Sequence, residues 1–399
     1  MKKLAILLLP CVLFLVACGG GGGGSSSSTT PTASSSKANT APISVSAGAD
    51  PNNAYTNGAF ASVTICSPGT TNCQTIPNIL VDTGSIGLRL LASTITVPLT
   101  RETVSSNTLL ECNQFVDSFT WGAVAPADVK LAGEIASSVP IQVIDDQNQF
   151  PVPTACSNTG PNGDSVTALG ANGILGVGNW RQDCGGYCAA QTGAKLYYLC
   201  PSSGCVETIV AVSQQVNNPV WMFSSDNNGV VLQFPSVASP GATTLAGTMT
   251  FGIGTQSDNA LGSALVVGLD AFGDFQTRLN GQNYSGSYID SGSNGIFFLD
   301  ANTTGIPVCT DAPSFYCPSA AQTMTAFING TFGASTPITF TIDNADALFA
   351  HQTFLVLPTL GGPNTGSFAW GLPFFYGRTV FTAIEGQNTP AGPGPYVAY

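Results

Sequence analysis

The sequence predicts an all-β chain folded as two similar lobes around a central cleft, with few short helices. Three observations predict it. The chain is built of short Val, Ile, Thr and Phe runs broken by Gly, Pro and Asn. Its 399 residues exceed the ~250–300 that one core usually sustains. One strand-led turn, Asp-Thr/Ser-Gly-Ser, occurs once in each half. Only 8% of the residues are charged, against 46 Gly and 26 Pro, a composition suited to a β-rich extracytoplasmic protein.

Read from its start, the chain opens with Lys2 and Lys3 before the apolar run Leu4–Val16. That run is short for a membrane span and reads as a signal peptide over 1–17. It ends Leu15-Val16-Ala17-Cys18, which resembles a bacterial lipobox with Cys18 lipidated; an ordinary signal peptide beside a chance Cys is the plainer alternative. Residues 18–42, rich in Gly, Ser and Thr, read as a tether of reach ~5–6 Å × √n. Gly19 is not an acidic retention signal, so by resemblance to lipoproteins the expected place is the outer membrane, on either face. An N-terminal lobe is expected over 43–225 and a C-terminal lobe over 226–399. Strands are predicted at Ala61–Ile65, Ile79–Val81, Ile141–Ile144, Val230–Phe234, Thr248–Ile253 and Ile338–Ile342. Short helices are predicted at Thr323–Ile328 and Ala345–Phe349.

The net charge of −12 argues against a nucleic-acid partner and against holding anionic lipid by charge. The expected membrane link is the lipid on Cys18, and the chain is expected to be a monomer. Cys11 leaves with the signal. Ten cysteines then remain, an even set that in an oxidising compartment reads as disulfides. Cys66–Cys73, Cys200–Cys205 and Cys309–Cys317 are close enough to staple single loops, and Cys112–Cys156 and Cys184–Cys188 complete the set. The cluster from Cys184 to Cys205 can also be read as a zinc site. His351 is the only histidine, and this favours disulfides with no metal and no cofactor.

The two turns carry the chemistry. The first is Ile79-Leu80-Val81-Asp82-Thr83-Gly84-Ser85 and the second Tyr288-Ile289-Asp290-Ser291-Gly292-Ser293. An apolar segment follows each, Ile86 to Leu91 and Ile296 to Leu299. An apolar-apolar-Gly comes later in each half, Ile174-Leu175-Gly176 and Ala369-Trp370-Gly371. Gly in such a turn eases the backbone and frees its N–H to face the carboxylate. Two facing turns would set Asp82 beside Asp290, where like charges about 3 Å apart share one proton. One carboxylate then takes a proton from water while the other protonates the attacked carbonyl. A Ser–His triad would have His351 as its sole base.

This doubled pattern resembles the pepsin family of aspartic peptidases. The resemblance implies a catalytic pair, Asp82 and Asp290, one on each lobe, with a ψ-shaped loop closed under each apolar-apolar-Gly. It implies that Thr83 and Ser291 brace the turns across the interface and that Ser85 and Ser293 hydrogen-bond the carboxylates. The substrate class it implies is a peptide or protein. Phe119-Thr120-Trp121-Gly122 falls where the family has its flap. Pro219–Phe223 and Asn228–Leu232 resemble the crossover between lobes, and Thr379–Phe381 the final strands. The chain is also similar, through Gln215–Phe223, Asp226–Val230 and Tyr288–Phe298, to a group of Gram-negative cell-envelope proteins of uncharacterised function.

Two positions depart from the family. Trp121 stands for the flap Tyr, and Arg89 for an aromatic shortly after the first Asp. Arg89 is expected to pack on Trp121 by a cation–π contact, pin the flap and set a positive charge near Asp82; the plainer expectation has Arg89 in solvent and Trp121 in the core. The Cys-rich stretch 179–208 is expected to cover or extend the cleft. Glu102, Glu111, Asp145, Asp146 and Asp226 read as solvated loop charges. A catalytically silent binding or structural lipoprotein on the same scaffold is the main rival to an endopeptidase. A glycoside hydrolase would need Asp82 and Asp290 at least ~5 Å apart.

Overall fold

The computed structural model describes residues 38–399 except 51, 202 and 203. The signal segment, Cys18 and the tether to residue 37 lie outside the described residues. Strand β1, Thr40–Val45, begins inside the stretch expected as tether, because alternate residues Ala41, Ile43 and Val45 are buried and the strand is paired on both edges. It lies antiparallel to Leu245–Phe251 of the second half, with Thr40 opposite Thr250, and pairs β2, Ala59–Cys66, on its other side. Gly229–Gln233 continues this sheet and pairs with Thr379–Ala383, which pairs with Tyr396–Ala398. One sheet therefore runs through both halves, and one apolar cluster follows it, from Val63 and Leu175 to Phe251, Phe298 and Trp370.

Each half contains the same knot of strands. In the first, β3 (Cys73–Asp82) and β4 (Ile86–Leu91) flank Gly173–Val177. Asp82 lies opposite Gly176 in the parallel pairing, and Gly87 opposite Gly176 in the antiparallel one. In the second, Gln282–Ile289 and Ile296–Phe298 flank Phe368–Trp370, with Ile289 and Ile296 both opposite Trp370. The later apolar-apolar-Gly strand thus inserts between the two strands that the Asp turn connects. Its glycine ends under that turn and admits no side chain. A Cβ on Gly176 would fall 2.6 Å from Ile86 N, and one on Gly371 would fall 2.1 Å from Gly295 O.

The six predicted strands are present. Four short α-helices occur among the described residues. Ala345–Phe349 is one of them, capped by Asn344 Oδ1 accepting from Ala347 N. Thr323–Ile328 is not a helix. It lies within strand Gln322–Asn329, paired along its length with Ser335–Ile342. Thr323 and Thr325 face Thr341 and Thr339 across that hairpin with hydroxyl contacts at 2.9 and 3.1 Å. The β-branched residues there take the pleated surface that suits them. Disulfides join Cys66–Cys73, Cys112–Cys156, Cys184–Cys188, Cys200–Cys205 and Cys309–Cys317. The sulfurs of the supposed zinc cluster are therefore bonded to one another. No helix among the described residues is long and apolar enough to cross a membrane.

Candidate active site

Asp82 ends β3 and Asp290 follows directly on the strand Gln282–Ile289. Each carboxylate is held by its own turn in the same way. Gly84 N donates to Asp82 Oδ1 at 2.8 Å and Ser85 Oγ to Oδ2 at 2.5 Å. Gly292 N donates to Asp290 Oδ1 at 2.7 Å and Ser293 Oγ to Oδ2 at 2.6 Å. The turns are also tied to each other. Thr83 N donates to Ser291 Oγ at 3.1 Å, Ser291 N to Thr83 Oγ1 at 3.0 Å, and Ser291 Oγ to Val81 O at 2.7 Å. Thr83 and Ser291 are both buried, so this exchange fixes the two halves against each other at the point where the carboxyls meet.

The glycines of the two turns serve by their size. Neither takes a left-handed φ. A Cβ on Gly84 would fall 2.7 Å from Asp290 Cγ, and one on Gly292 would fall 2.6 Å from Asp82 Oδ1. Each glycine leaves the space that the opposite carboxyl occupies. The expected ease of backbone rotation is therefore not what these positions use.

Asp82 is 6% exposed. Burial pushes its carboxyl well above the ordinary range, and the charge of Asp290 and a hydrogen bond between the two carboxyls push it further. The donors Ser85 and Gly84 act in the opposite sense. Crowding by Asp290 thus favours the protonated form of Asp82.

Arg89 and Trp121 do not meet. Arg89 lies at 0% exposure in β4 and forms an ion pair with Glu111 Oε1 at 2.5 Å and with Asp183 Oδ2 at 3.4 Å. It also donates to Asn113 Oδ1 at 3.0 Å and to Ile86 O at 2.5 Å. A buried carboxylate at hydrogen-bond distance binds a guanidinium far more strongly than an indole face does, and the charge of Glu111 offsets the positive charge expected near Asp82. Trp121 is core, as the plainer expectation had it, but Arg89 is not in solvent. The indole stands edge-on to Tyr198 at 5.6 Å, in a cluster with Cys112 and Cys156.

Phe119–Gly122 opens the strand Phe119–Leu131, directly after the turn 115–118 of a hairpin with Asn107–Gln114. Trp121 pairs with Cys112, and Gly122 with Glu111 on one side and Ile144 on the other. The stretch 179–208 lengthens the sheet edge, with Tyr197–Leu199 pairing with Asn107–Gln114. It also delivers Asp183 to Arg89 and Tyr197 Oη to Asp183 Oδ1 at 2.7 Å. Burial first, then the charge of Glu111, raises Asp183 well above its ordinary range.

Three acids read as solvated are buried and partnered. Glu111 holds Arg89, and Asp145 accepts from Gln149 N and Phe150 N. Asp226 accepts from Thr255 Oγ1 and Gln256 Nε2. The Arg89–Glu111–Asp183 cluster escaped sequence reading because its members are far apart in the chain and none sits in a motif. The one available signal was a lone Arg inside the fully apolar run Ile86–Leu91.

The two interlocked Asp turns, one per half of a β chain, define the pepsin-type fold. A solved structure, the crystal structure of aspartic proteinase from Irpex lacteus, is similar over 90% of this chain and 96% of its own, with a TM-score of 0.52 and 13% identity. At that identity the likeness concerns the fold. The chain itself belongs to the family described as "Protein of unknown function (DUF3443)", whose model matches residues 35–399. Comparison with curated proteins finds no match.

Proposed function

We propose that this chain is an aspartic endopeptidase of the cell envelope, in which Asp82 and Asp290 activate a water against a peptide carbonyl. The observation that carries the reading is the paired placement of the two carboxyls, each with its own Gly N–H and Ser hydroxyl and each filling the space left by the other turn's glycine. The carboxylate that lacks the proton takes one from the water, and its protonated partner donates to the carbonyl oxygen. Thr83, Ser291, Gly84 and Gly292 position the pair and do not touch the substrate in this scheme. The anchor in the proposal is a lipid on Cys18, with residues 18–37 as the tether, and the outer membrane as the site. It rests on the lipobox-like sequence.

A second reading has one specific observation in its favour. Trp121, at the position where the family has its flap Tyr, is buried in the core. A cleft that lacks this aromatic suits a protein that binds peptides and does not cut them. One experiment separates the two readings. The purified full chain in detergent is incubated with denatured casein from pH 3 to 7, alongside Asp82→Asn and Asp290→Asn. Cleavage in acid that both substitutions abolish supports the peptidase. Absence of cleavage by the native chain supports the binding protein, and cleavage unchanged in either variant places the activity elsewhere.

A further inference from the structure

The charge cluster around Arg89 is out of balance. One guanidinium faces two carboxyls, and all three side chains are dry, with Arg89 and Glu111 at 0% exposure and Asp183 at 4%. Three acceptors crowd one nitrogen. Arg89 Nη2 has two hydrogens to give and meets Glu111 Oε1 at 2.5 Å, Asn113 Oδ1 at 3.0 Å and Asp183 Oδ2 at 3.4 Å. Among the described residues, the buried atoms Arg89 Nε and Glu111 Oε2 have no partner. Asp183 is thus the acid that the guanidinium serves least. Its other oxygen, Oδ1, accepts from Tyr197 Oη at 2.7 Å. The titratable groups that face Asp183 are Arg89 from β4, Glu111 from the strand Asn107–Gln114 and Tyr197 from the strand Tyr197–Leu199.

The cluster is joined to the first Asp turn from two directions. Arg89 Nη1 donates to Ile86 O at 2.5 Å, and Ile86 follows Ser85, which donates to Asp82. Gly178 N donates to Ser85 O at 3.0 Å, and the chain runs on from Gly178 to Asp183. On the way it is fastened to the second half. Asn179 Nδ2 donates to Ala383 O at 2.8 Å and to Tyr396 O at 3.1 Å, and Arg181 Nε to Glu385 O at 3.1 Å. Asp183 N donates to Val216 O at 3.2 Å, and Val216 N to Tyr197 Oη at 2.7 Å. Asp183, Tyr197 and Val216 therefore close a ring of contacts.

With all three groups ionised, the cluster holds one negative charge too many in a place that water does not screen. A proton on Asp183 removes the excess and leaves Arg89 and Glu111 as a matched pair. Burial and the charge of Glu111 both favour that protonated form. A fold that holds a proton more tightly than the unfolded chain gains stability in acid and loses it as pH rises through the raised value. Arg89 and Glu111 lie in paired strands, whereas Asp183 lies in an irregular stretch. The stretch therefore gives way before the strands do. We infer that Asp183 is a pH-sensitive latch: its protonated carboxyl docks the Cys-rich stretch beside the first Asp turn in acid, and loss of the proton releases that stretch. The inference stands apart from the peptidase reading and needs no cleavage.

The test is amide hydrogen exchange on the purified full chain in detergent, read by mass spectrometry at about pH 4 and pH 9 and divided at each pH by the intrinsic chemical rate. The probes are peptides covering 179–199 and 212–218, and the strand Gln322–Asn329 is the reference. Each unit by which the fold raises the Asp183 carboxyl is worth tenfold in the opening equilibrium. Corrected exchange of the probes is therefore expected to rise at least about tenfold over the reference from the lower pH to the higher. Asp183→Asn, a neutral stand-in for the protonated acid, should keep exchange slow at both. Glu111→Gln leaves one acid for one guanidinium and should flatten the profile as well, which keeps the proposal falsifiable if Asp183→Asn does not fold. Asp82→Asn should leave the rise in place. A flat native profile, a rise that survives either substitution in the cluster, or a rise that Asp82→Asn abolishes would overturn the latch. Cleavage of peptides, or its absence, decides the dyad's role and leaves this result unchanged.

Discussion

Arg89 and Glu111 meet at 2.5 Å with both side chains wholly out of solvent, and Asp183 closes on the same guanidinium at 3.4 Å. The cluster joins β4, which leaves the first Asp turn, to the strand Asn107–Gln114 and to the Cys-rich stretch. Removing one partner of a buried ion pair strands the other charge, at about 3–5 kcal/mol. Arg89→Ala should lower the unfolding free energy by about that much, read as a lower urea midpoint at unchanged m. Arg89→Lys should recover only part, because an ammonium lacks the planar fork that reaches Ile86 O, Glu111 and Asn113 together. A loss below about 1 kcal/mol would mean that the charges are solvated.

Asp82 supplies a pH dependence of known sign. Burial and Asp290 raise its folded pKa above the ordinary 3.8. Between the ordinary and the raised value the folded chain binds more protons than the unfolded one, so its stability falls as pH rises through that window. Asp82→Asn removes this slope. The melting temperature of the variant, minus that of the native chain, should therefore increase from pH 4 to pH 7. Asp183 gives a slope of the same sign in both proteins and cancels in the difference. A flat or decreasing difference would show that Asp82 ionises normally in the fold.

Gly84→Ala and Gly292→Ala each push a methyl into the opposite carboxyl, at 2.7 and 2.6 Å. Each should cost about 1–3 kcal/mol as overpacking. Each should also spread the carboxyls, so the stability–pH slope assigned to Asp82 should shrink. Urea titrations at pH 4 and pH 7 read both effects. Either variant matching the native chain at both pH values would contradict the close approach.

Thr83 and Ser291 exchange hydrogen bonds across the interface. Ser291→Ala deprives the Thr83 N–H of its acceptor, and Thr83→Val does the same to the Ser291 N–H. A buried donor left without a partner costs about 1–3 kcal/mol. A double-mutant cycle should return a coupling of at least about 0.5 kcal/mol. Strict additivity would mean that the halves are braced elsewhere.

The sequence by itself determined the all-β class and the position of both Asp turns. Those features are local: strands of β-branched residues, turn residues at fixed offsets, and Ser three residues after each Asp to reach its own carboxylate. The match of Gly176 and Gly371 to the turns was also legible, because the pattern occurs twice and each copy supports the other. Tertiary structure decided the rest. Arg89 found two acids brought from Glu111 and Asp183, and in a dry interior opposite charge outweighs an indole face. Trp121 became core because its indole packs against Tyr198 and the cysteines Cys112 and Cys156, neighbours that no single motif records. Thr323–Ile328 joined a hairpin because Ser335–Ile342 lay opposite. Asn57 bridges the two halves through Asn294, Leu357 and Tyr376, residues that no spacing along the chain brings near it.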